Sequence, residues 1–423
     1  MTRIYLGQRF AYGGVEVPCF FDTDALTRHV HVLGKTGMGK STLLQTLIAG
    51  LIESGAGVGI IDPHGDLAEW ALRCVPPQRH DDVVLIDPAD PIFAPSLNLV
   101  SSSLPEPHRP RAASALLAAF RHIWAESWGP RLEHILYHAL RTLLDAENAS
   151  LVALPRLLTD EAYRASLVKQ CRDPFIRSFW SAEFDAWDKR FRAEAIAPIL
   201  NKLGQLVAIP ALRESLGQVR LRVDFADILR SGRILIVSIP KGKLGDDASR
   251  LFGALITSSL SAVAMERASL PEHERRSFTL IIDEAQNFLS DALSTILSES
   301  RKTGLGLVMA HQYLDQLTPS VQSAVLGNAG TTFAFRLAGE DAQRAALHFG
   351  NTSPAAFVEL PPFTAMVRPL DGTGFPFRLT LSPVAHEPAT HVAELRAKSR
   401  RRHCARRDQV RERLRRWSQR VVE

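Results

Sequence analysis

The sequence predicts an α/β protein: a mostly parallel sheet with helices on both faces, interrupted by a long all-helical stretch. Three observations carry this. Short apolar runs of strand length alternate with segments whose apolar residues recur at helical spacing. Two of the runs end in turn chemistry, Asp62-Pro63 and Asp87-Pro88, as strands do when they feed crossover helices. Between Arg109 and Gly217, β-branched runs all but vanish while the helical period persists.

Residues 1–28 read as two short strands around Tyr12-Gly13-Gly14, an N-terminal β-hairpin. His29 to Leu33 is the first buried strand, and Leu43 to Ala49 the helix after it. Gly57 to Ile61 and Val83 to Asp87 repeat the strand pattern. The helical stretch then shows one apolar face in Leu116, Phe120, Ile123 and Trp124, and another in Leu132, Ile135, Leu136, Ala139, Leu140 and Leu143. Strands resume at 234–239, 278–283, 306–310 and 331–336. Val410, Leu414 and Trp417 mark a short amphipathic helix near the end. The expected organisation is a hairpin over 1–28, an α/β core over 29–102 and 218–385, an all-helical insertion over 103–217, and a basic helical tail over 386–423.

With 423 residues, 46% of them hydrophobic and 22% charged, the chain has the composition of a globular protein with a substantial core. It contains no run of eighteen apolar residues and no basic flank leading into an apolar N-terminal segment, so neither a membrane span nor a signal peptide is expected. Cys19, Cys74, Cys171 and Cys404 are scattered, with no metal-ligand spacing. A reducing cytoplasm fits that pattern better than a disulfide framework. The net charge of +5 hides an asymmetry. Residues from Glu394 to Glu423 hold 12 Lys/Arg against 4 Asp/Glu, leaving 38 basic and 41 acidic groups elsewhere. The positive excess sits in the tail, where such a run usually marks a solvated segment able to meet phosphates.

The stretch Gly34, Lys35, Thr36, Gly37, Met38, Gly39, Lys40, Ser41, Thr42 fits G-x-x-x-x-G-K-[ST], and it stands between a strand and a helix as that motif requires. The glycines let successive backbone N–H groups face a phosphate at a positive helix end. Lys40 reaches β- and γ-phosphates, and the Ser41 hydroxyl is a hard ligand suited to Mg²⁺. The expected ligands are ATP and Mg²⁺.

A second half of the site follows from Phe278 to Glu284, an apolar strand ending in two carboxylates. Asp283 can complete the Mg²⁺ shell, and Glu284 can orient and deprotonate water. Gln312, just past the strand ending at Ala310, is placed to sense the γ-phosphate. Arg301 precedes that strand, away from its own nucleotide, and can reach that of a neighbouring subunit.

These residues, with Asp62–Asp66, Trp128–His134, Ala197–Gln205, Lys241–Gly245, Ile282–Phe288, Leu297–Gly304, Ala310–Tyr313 and Leu326–Asn328, resemble the HerA/FtsK superfamily. The resemblance is closest to TraG/TraD-type coupling ATPases of conjugation and type IV secretion, and runs from about residue 4 to 385. It implies a RecA-like core with an all-helical insertion, a hexameric ring, and ATP-driven movement of DNA. It makes Gln312 the glutamine sensor and Arg301, eleven residues earlier, the arginine finger supplied in trans. Partners implied are further copies of the chain, DNA, and relaxase or secretion-apparatus proteins. Two departures are visible: there are no N-terminal transmembrane helices, and the 33 residues before Gly34 are too few for the β-barrel of HerA proteins proper. The expected location is cytoplasmic, with attachment to the inner membrane only through partners.

Other features read two ways. Asp62 to Asp66 places His64 or Asp66 at a subunit interface or on nucleotide, or makes a strand-to-helix turn capped by Asp66. Arg336 is either a second finger candidate or a structural partner. Trp180, Phe184, Trp187 and Phe191, among Arg and Lys residues, suit a bundle core or a nucleic-acid surface. The function expected is a DNA translocase. The competing reading is an ATP-gated switch or scaffold that recruits an effector without processive movement.

Overall fold

A computed structural model describes residues 2–10, 15–289, 291–369, 375–383 and 391–419; within the helix over 291–303, the side chains of residues 291–294, 300 and 301 are outside the description. Its strands are β1 (Arg3–Phe10), β2 (Glu16–Asp22), β3 (Val30–Leu33), β4 (Gly57–Asp62), β5 (Val83–Ile86), β6 (Phe93–Pro95), β7 (Ile234–Ser238), β8 (Phe278–Ile282), β9 (Leu305–His311), β10 (Thr331–Ala334), β11 (Thr364–Arg368), β12 (Phe377–Leu381) and β13 (Cys404–Arg406). The chain divides into two compact units: residues 1–85, 226–239 and 264–398, and residues 86–225, 240–263 and 399–423.

The first unit is built on an eleven-stranded sheet of order β2-β1-β12-β11-β10-β3-β9-β8-β4-β7-β5. From β10 through β7 every adjacent pair is parallel; β2, β1, β12 and β11 extend it antiparallel. Every residue of β3, β4, β7, β8 and β9 is buried, which is why they read as continuous apolar runs. Two apolar clusters cover the faces. One gathers Val32 and Phe333 with helix α1 (Lys40–Glu53) and helix α2 (Asp66–Cys74). The other gathers Leu33 and Ala334 with Ala342, Ala345 and Ala346 of the helix Glu340–His348. Val32 and Leu33 are successive, as are Phe333 and Ala334, so the clusters lie on opposite faces of the sheet. The strand pair expected over 1–28 is β1 and β2; its turn, Tyr12 to Gly14, lies outside the described residues.

The second unit is mainly helical, and residues 103–217 contain helices and turns without a strand. The helix Pro130–Asp145 buries the apolar face read from the periodicity; of the first face, Leu116 and Phe120 of Arg109–Ile123 and the following Trp124 are buried and Ile123 is half-buried. Trp180 and Phe184 are core residues: both are fully buried, they pack edge to face, and Trp180 Nε1 donates to Thr142 Oγ1 at 2.7 Å. For these two the nucleic-acid reading is excluded by burial.

The tail differs from its reading as a solvated segment. Its residues Cys404–Arg406 pair antiparallel with β6, and the helix Arg407–Gln419 begins on a buried carboxylate. Glu214 is fully buried and takes ion pairs from Arg407 and from Arg411, the latter at 2.6 Å. Arg407 Nε also donates to the Asp90 carbonyl at 2.6 Å, and Arg400 pairs with the Asp90 carboxylate at 2.6 Å. Val410 is buried and Trp417 meets Tyr163 edge to face. The tail's charge is therefore partly consumed as counter-charge within this unit.

Among the described residues, one helix is long and apolar enough to cross a membrane, Asp246–Ser269, and 78% of its most apolar window is buried within the protein.

Leaving a buried charge without a partner costs about 3–5 kcal/mol; Arg411 still pairs with Glu214 when Arg407 is removed, so the loss is smaller than that. Arg407→Ala should lower Tm clearly, and adding Glu214→Leu should recover much of the loss. Arg415→Ala, on the exposed face of the same helix, should leave the melt unchanged. An unaltered melt for Arg407→Ala would contradict this anchoring.

Candidate nucleotide site

The site is assembled at one edge of the sheet, where the parallel strands end together. Strand β9 lies between β3 and β8 in register, with Leu33 opposite His311 and Ile282 opposite Met309. The loop after β3, the carboxylates after β8 and Gln312 after β9 therefore emerge at the same level, the usual ligand edge of an open α/β sheet.

The loop closes onto α1, whose first residue is Lys40. The helix has no acidic residue in its first turn, so its positive end is left to an anion. Gly34 and Gly39 are held against Phe335: an added Cβ would stand 2.5 Å from Phe335 Cβ at Gly34, and 2.9 Å from its ring at Gly39. Gly39 also has φ 119, which L side chains rarely adopt. The loop is pinned from outside by Phe363 N donating to Met38 O at 2.8 Å and by Lys35 N donating to Arg336 O at 3.1 Å. Lys40 Nζ donates to the carbonyls of Gly34 at 2.6 Å and Lys35 at 3.2 Å. Burial pulls its ammonium pKa down, and Asp283 and Glu284 oppose that shift.

Asp283 is pushed above the usual carboxylate range, first by burial and further by Asp62 and Glu284, against the pull of the Glu284 N–H and His64. A carboxyl so placed favours a nearby cation. With the Ser41 hydroxyl at the start of α1, Asp283 fits a hard divalent ion such as Mg²⁺. Glu284 adopts the left-handed conformation, φ 45 and ψ 51, uncommon for a residue with a side chain. Its carboxylate accepts from His64 Nε2 at 3.0 Å and from Asn287 Nδ2 at 3.2 Å. Lys35, Thr36, Gln312 and Tyr313 line a cleft of about 490 Å³ beside the loop.

Buried histidines tie β3 to β9, His31 and His311 near the loop edge and His29 at the other end of the strands. His311 Nδ1 faces the Tyr313 carbonyl at 3.0 Å and so carries the proton; its Nε2 must then accept from His31 Nε2, 2.7 Å away. His29 accepts from Leu307 N at Nδ1, 3.0 Å away. Burial holds His29 and His311 at about 4 and His31 well below its ordinary value, so all three are neutral at neutral pH.

The family model described as the central domain of helicase HerA matches residues 4–229, more than half of the chain. The chain belongs to the HerA central-domain family. The curated type 4 coupling protein DotL of Legionella pneumophila is 23% identical over 404 residues, covering 80% of this chain; the chain spans about half, 51%, of that relative's length. Among solved structures, the plasmid coupling protein TrwB in complex with the non-hydrolysable ATP analogue ADPNP aligns over 92% of this chain and 97% of its own, with 19% identity and TM-score 0.63. VirB4 of Thermoanaerobacter pseudethanolicus aligns over 93% and 98%, with 16% identity and TM-score 0.54. These structural likenesses show the fold: the RecA-like phosphate-loop fold expected of a HerA-family ATPase domain.

Within this HerA-family chain the structure brings together Gly34 to Thr42, Asp283, Glu284 and Gln312. Arg301 falls in the helix Asp291–Thr303, and its side chain lies outside the described residues. Arg336 Nε donates to the Leu360 carbonyl at 2.6 Å, which makes it a brace of the chain's own loop rather than a free finger. Asp66 does not cap α2: it is the first residue of that helix, and Asp62 Oδ2 accepts from Ala68 N at 2.8 Å instead. Sequence reading missed Phe335 and Phe363, whose role depends on contacts that no local pattern encodes. It left His64 undecided, although its motif was visible.

Because the three histidines stay neutral when folded but ionise near 6.5 when unfolded, the unfolded chain binds more protons between about pH 4 and 6.5. Stability should be fully present above about pH 6.5 and fall towards pH 4, each histidine contributing a slope of about 1.4 kcal/mol per pH unit. Melts from pH 7.5 to 4.5 should show this decline, and His31→Gln should make it shallower. A stability that does not change across this range would contradict the neutral assignment.

Proposed function

We propose that this chain hydrolyses ATP and couples the hydrolysis to movement of DNA. The observation that supports this most strongly is the convergence, on one sheet edge, of a phosphate loop, a half-buried Asp-Glu pair and a glutamine just after the intervening strand. A nucleotide switch needs the first; turnover needs all of them.

In this reading, residues Gly34, Lys35, Thr36, Gly37, Met38, Gly39, Lys40, Ser41 and Thr42 cradle the phosphates. Lys40 leaves its two carbonyl partners for the β- and γ-phosphates. Ser41 and Asp283 hold Mg²⁺, which supplies positive charge to the phosphate oxygens. Glu284 accepts the proton of the attacking water. Gln312 reads the γ-phosphate, and Arg301 enters the site of an adjacent subunit in a hexameric ring. The domain assignment that goes with it is the ATPase core over 29–102 and 218–385, the helical insertion over 103–217, the hairpin over 1–28 and the tail over 386–423. DotL and TrwB are coupling proteins by name. We extend that role to this chain as a cytoplasmic motor acting on DNA with relaxase or secretion-apparatus partners, in transfer or maintenance of a mobile element.

Glu284→Gln keeps shape and removes the base, so ATP should bind while hydrolysis falls by at least about a hundredfold. Duplex or single-stranded DNA should stimulate the wild-type rate. Turnover indifferent to both would favour the switch. Arg301→Ala should lose about 10³-fold or more in rate with ATP affinity retained. Mixing it with Lys40→Ala subunits should restore part of the activity. A verified mixed ring that stays inactive would exclude the finger in trans.

A further inference from the structure

We infer that His64 is a positioning residue for Glu284, acting through its Nε2–H and setting the direction of the carboxylate towards water. The inference rests on the reading of Glu284 as the base. Strands β4 and β8 are adjacent and parallel, with Ile61 opposite Ile282, so the turns that follow them meet. His64 lies in the first turn and Glu284 in the second. Their side chains meet at 3.0 Å, Nε2 to Oε1. A carboxylate oxygen only accepts, so the ring nitrogen facing it carries the hydrogen.

Both partners are constrained to make this contact. Asp62, fully buried, accepts from His64 N at 2.8 Å and from Ala68 N at 2.8 Å, which fixes the turn between β4 and α2. Across the gap, Glu284 stands in left-handed backbone, a conformation that persists only where its surroundings over-determine it. Asn287 Nδ2 reaches both the Glu284 carbonyl at 3.1 Å and Oε2 at 3.2 Å. Each carboxylate oxygen thus has a donor, His64 on Oε1 and Asn287 on Oε2. Two donors from different segments leave the carboxylate little freedom to rotate, and a base held in place needs no reorientation before the proton transfer. The His64 side chain is half exposed, against 18% for Glu284. It therefore supports the carboxylate from the solvent side rather than as part of the core.

The test uses the full chain. His64→Ala should lower kcat about tenfold, the loss of one hydrogen bond to a charged group, with KM for ATP within about twofold and Tm unchanged. His64→Gln, whose amide nitrogen can stand where Nε2 stood, should recover most of that loss. His64→Asn, which reaches only as far as Nδ1, should not. In the nucleotide-free protein, long-range ¹H–¹⁵N spectra should show His64 as the Nε2–H tautomer, and Glu284→Gln should shift that signal. An unchanged kcat in His64→Ala, equal rates for the Gln and Asn variants, or a His64 signal indifferent to Glu284→Gln would each overturn the proposal. Should Glu284→Gln alone keep its turnover, the base assignment falls instead, while the spectroscopic arm still reports on the contact itself.

Discussion

The constraint on which the site depends is the register of three parallel strands, β3, β9 and β8. Leu33 pairs with His311, and Ile282 with Met309. Side chains alternate along a strand, so a slip of one residue in β9 would turn His311 away from His31 and send Gln312 to the other face. Burial of every residue in these strands makes that slip costly. The His31–His311 bond ties the phosphate-loop strand to the strand that leads to Gln312, just below the edge. Everything chemical in the first unit is a consequence of where these three strands stop.

Above that edge the groups rest in internal contacts. Lys40 sits on loop carbonyls, Glu284 is held by His64 and Asn287, and Asp62 secures the turn between them. A ligand bearing phosphates offers Lys40 stronger acceptors than two carbonyls, because charge-assisted hydrogen bonds are the stronger kind. Glu284 has no such competitor, so its position is set by the protein. That division, a cation whose partners a phosphate can replace and a carboxylate held by protein donors, suits a site in which binding and hydrolysis are separate steps.

Much of this was legible in the sequence because the relevant signals are local. Fully buried parallel strands leave unbroken apolar runs, as at Phe278 to Ile282, and a phosphate loop declares itself by residue type and spacing. What stayed hidden depends on distant partners. The strands β6 and β13 are three residues each and exist only because they pair with one another. Glu214 looks like an ordinary helix-surface residue until Arg407 and Arg411 arrive from the tail, and counting tail charges alone suggested solvent or nucleic acid. Strand β12 was findable, since Phe377, Leu379 and Leu381 alternate with polar residues. Phe335 gave no sign in the sequence that it shapes the loop through Gly34 and Gly39.

The central claim is that this edge binds a nucleoside triphosphate through the loop and Lys40. Calorimetric titration of the purified chain with ATP in the presence of Mg²⁺ tests it most directly. The account predicts one site per chain, lost in Lys40→Ala while the thermal melt stays unchanged. Equal ATP binding by a folded Lys40→Ala chain, or no binding by the wild type, would contradict it.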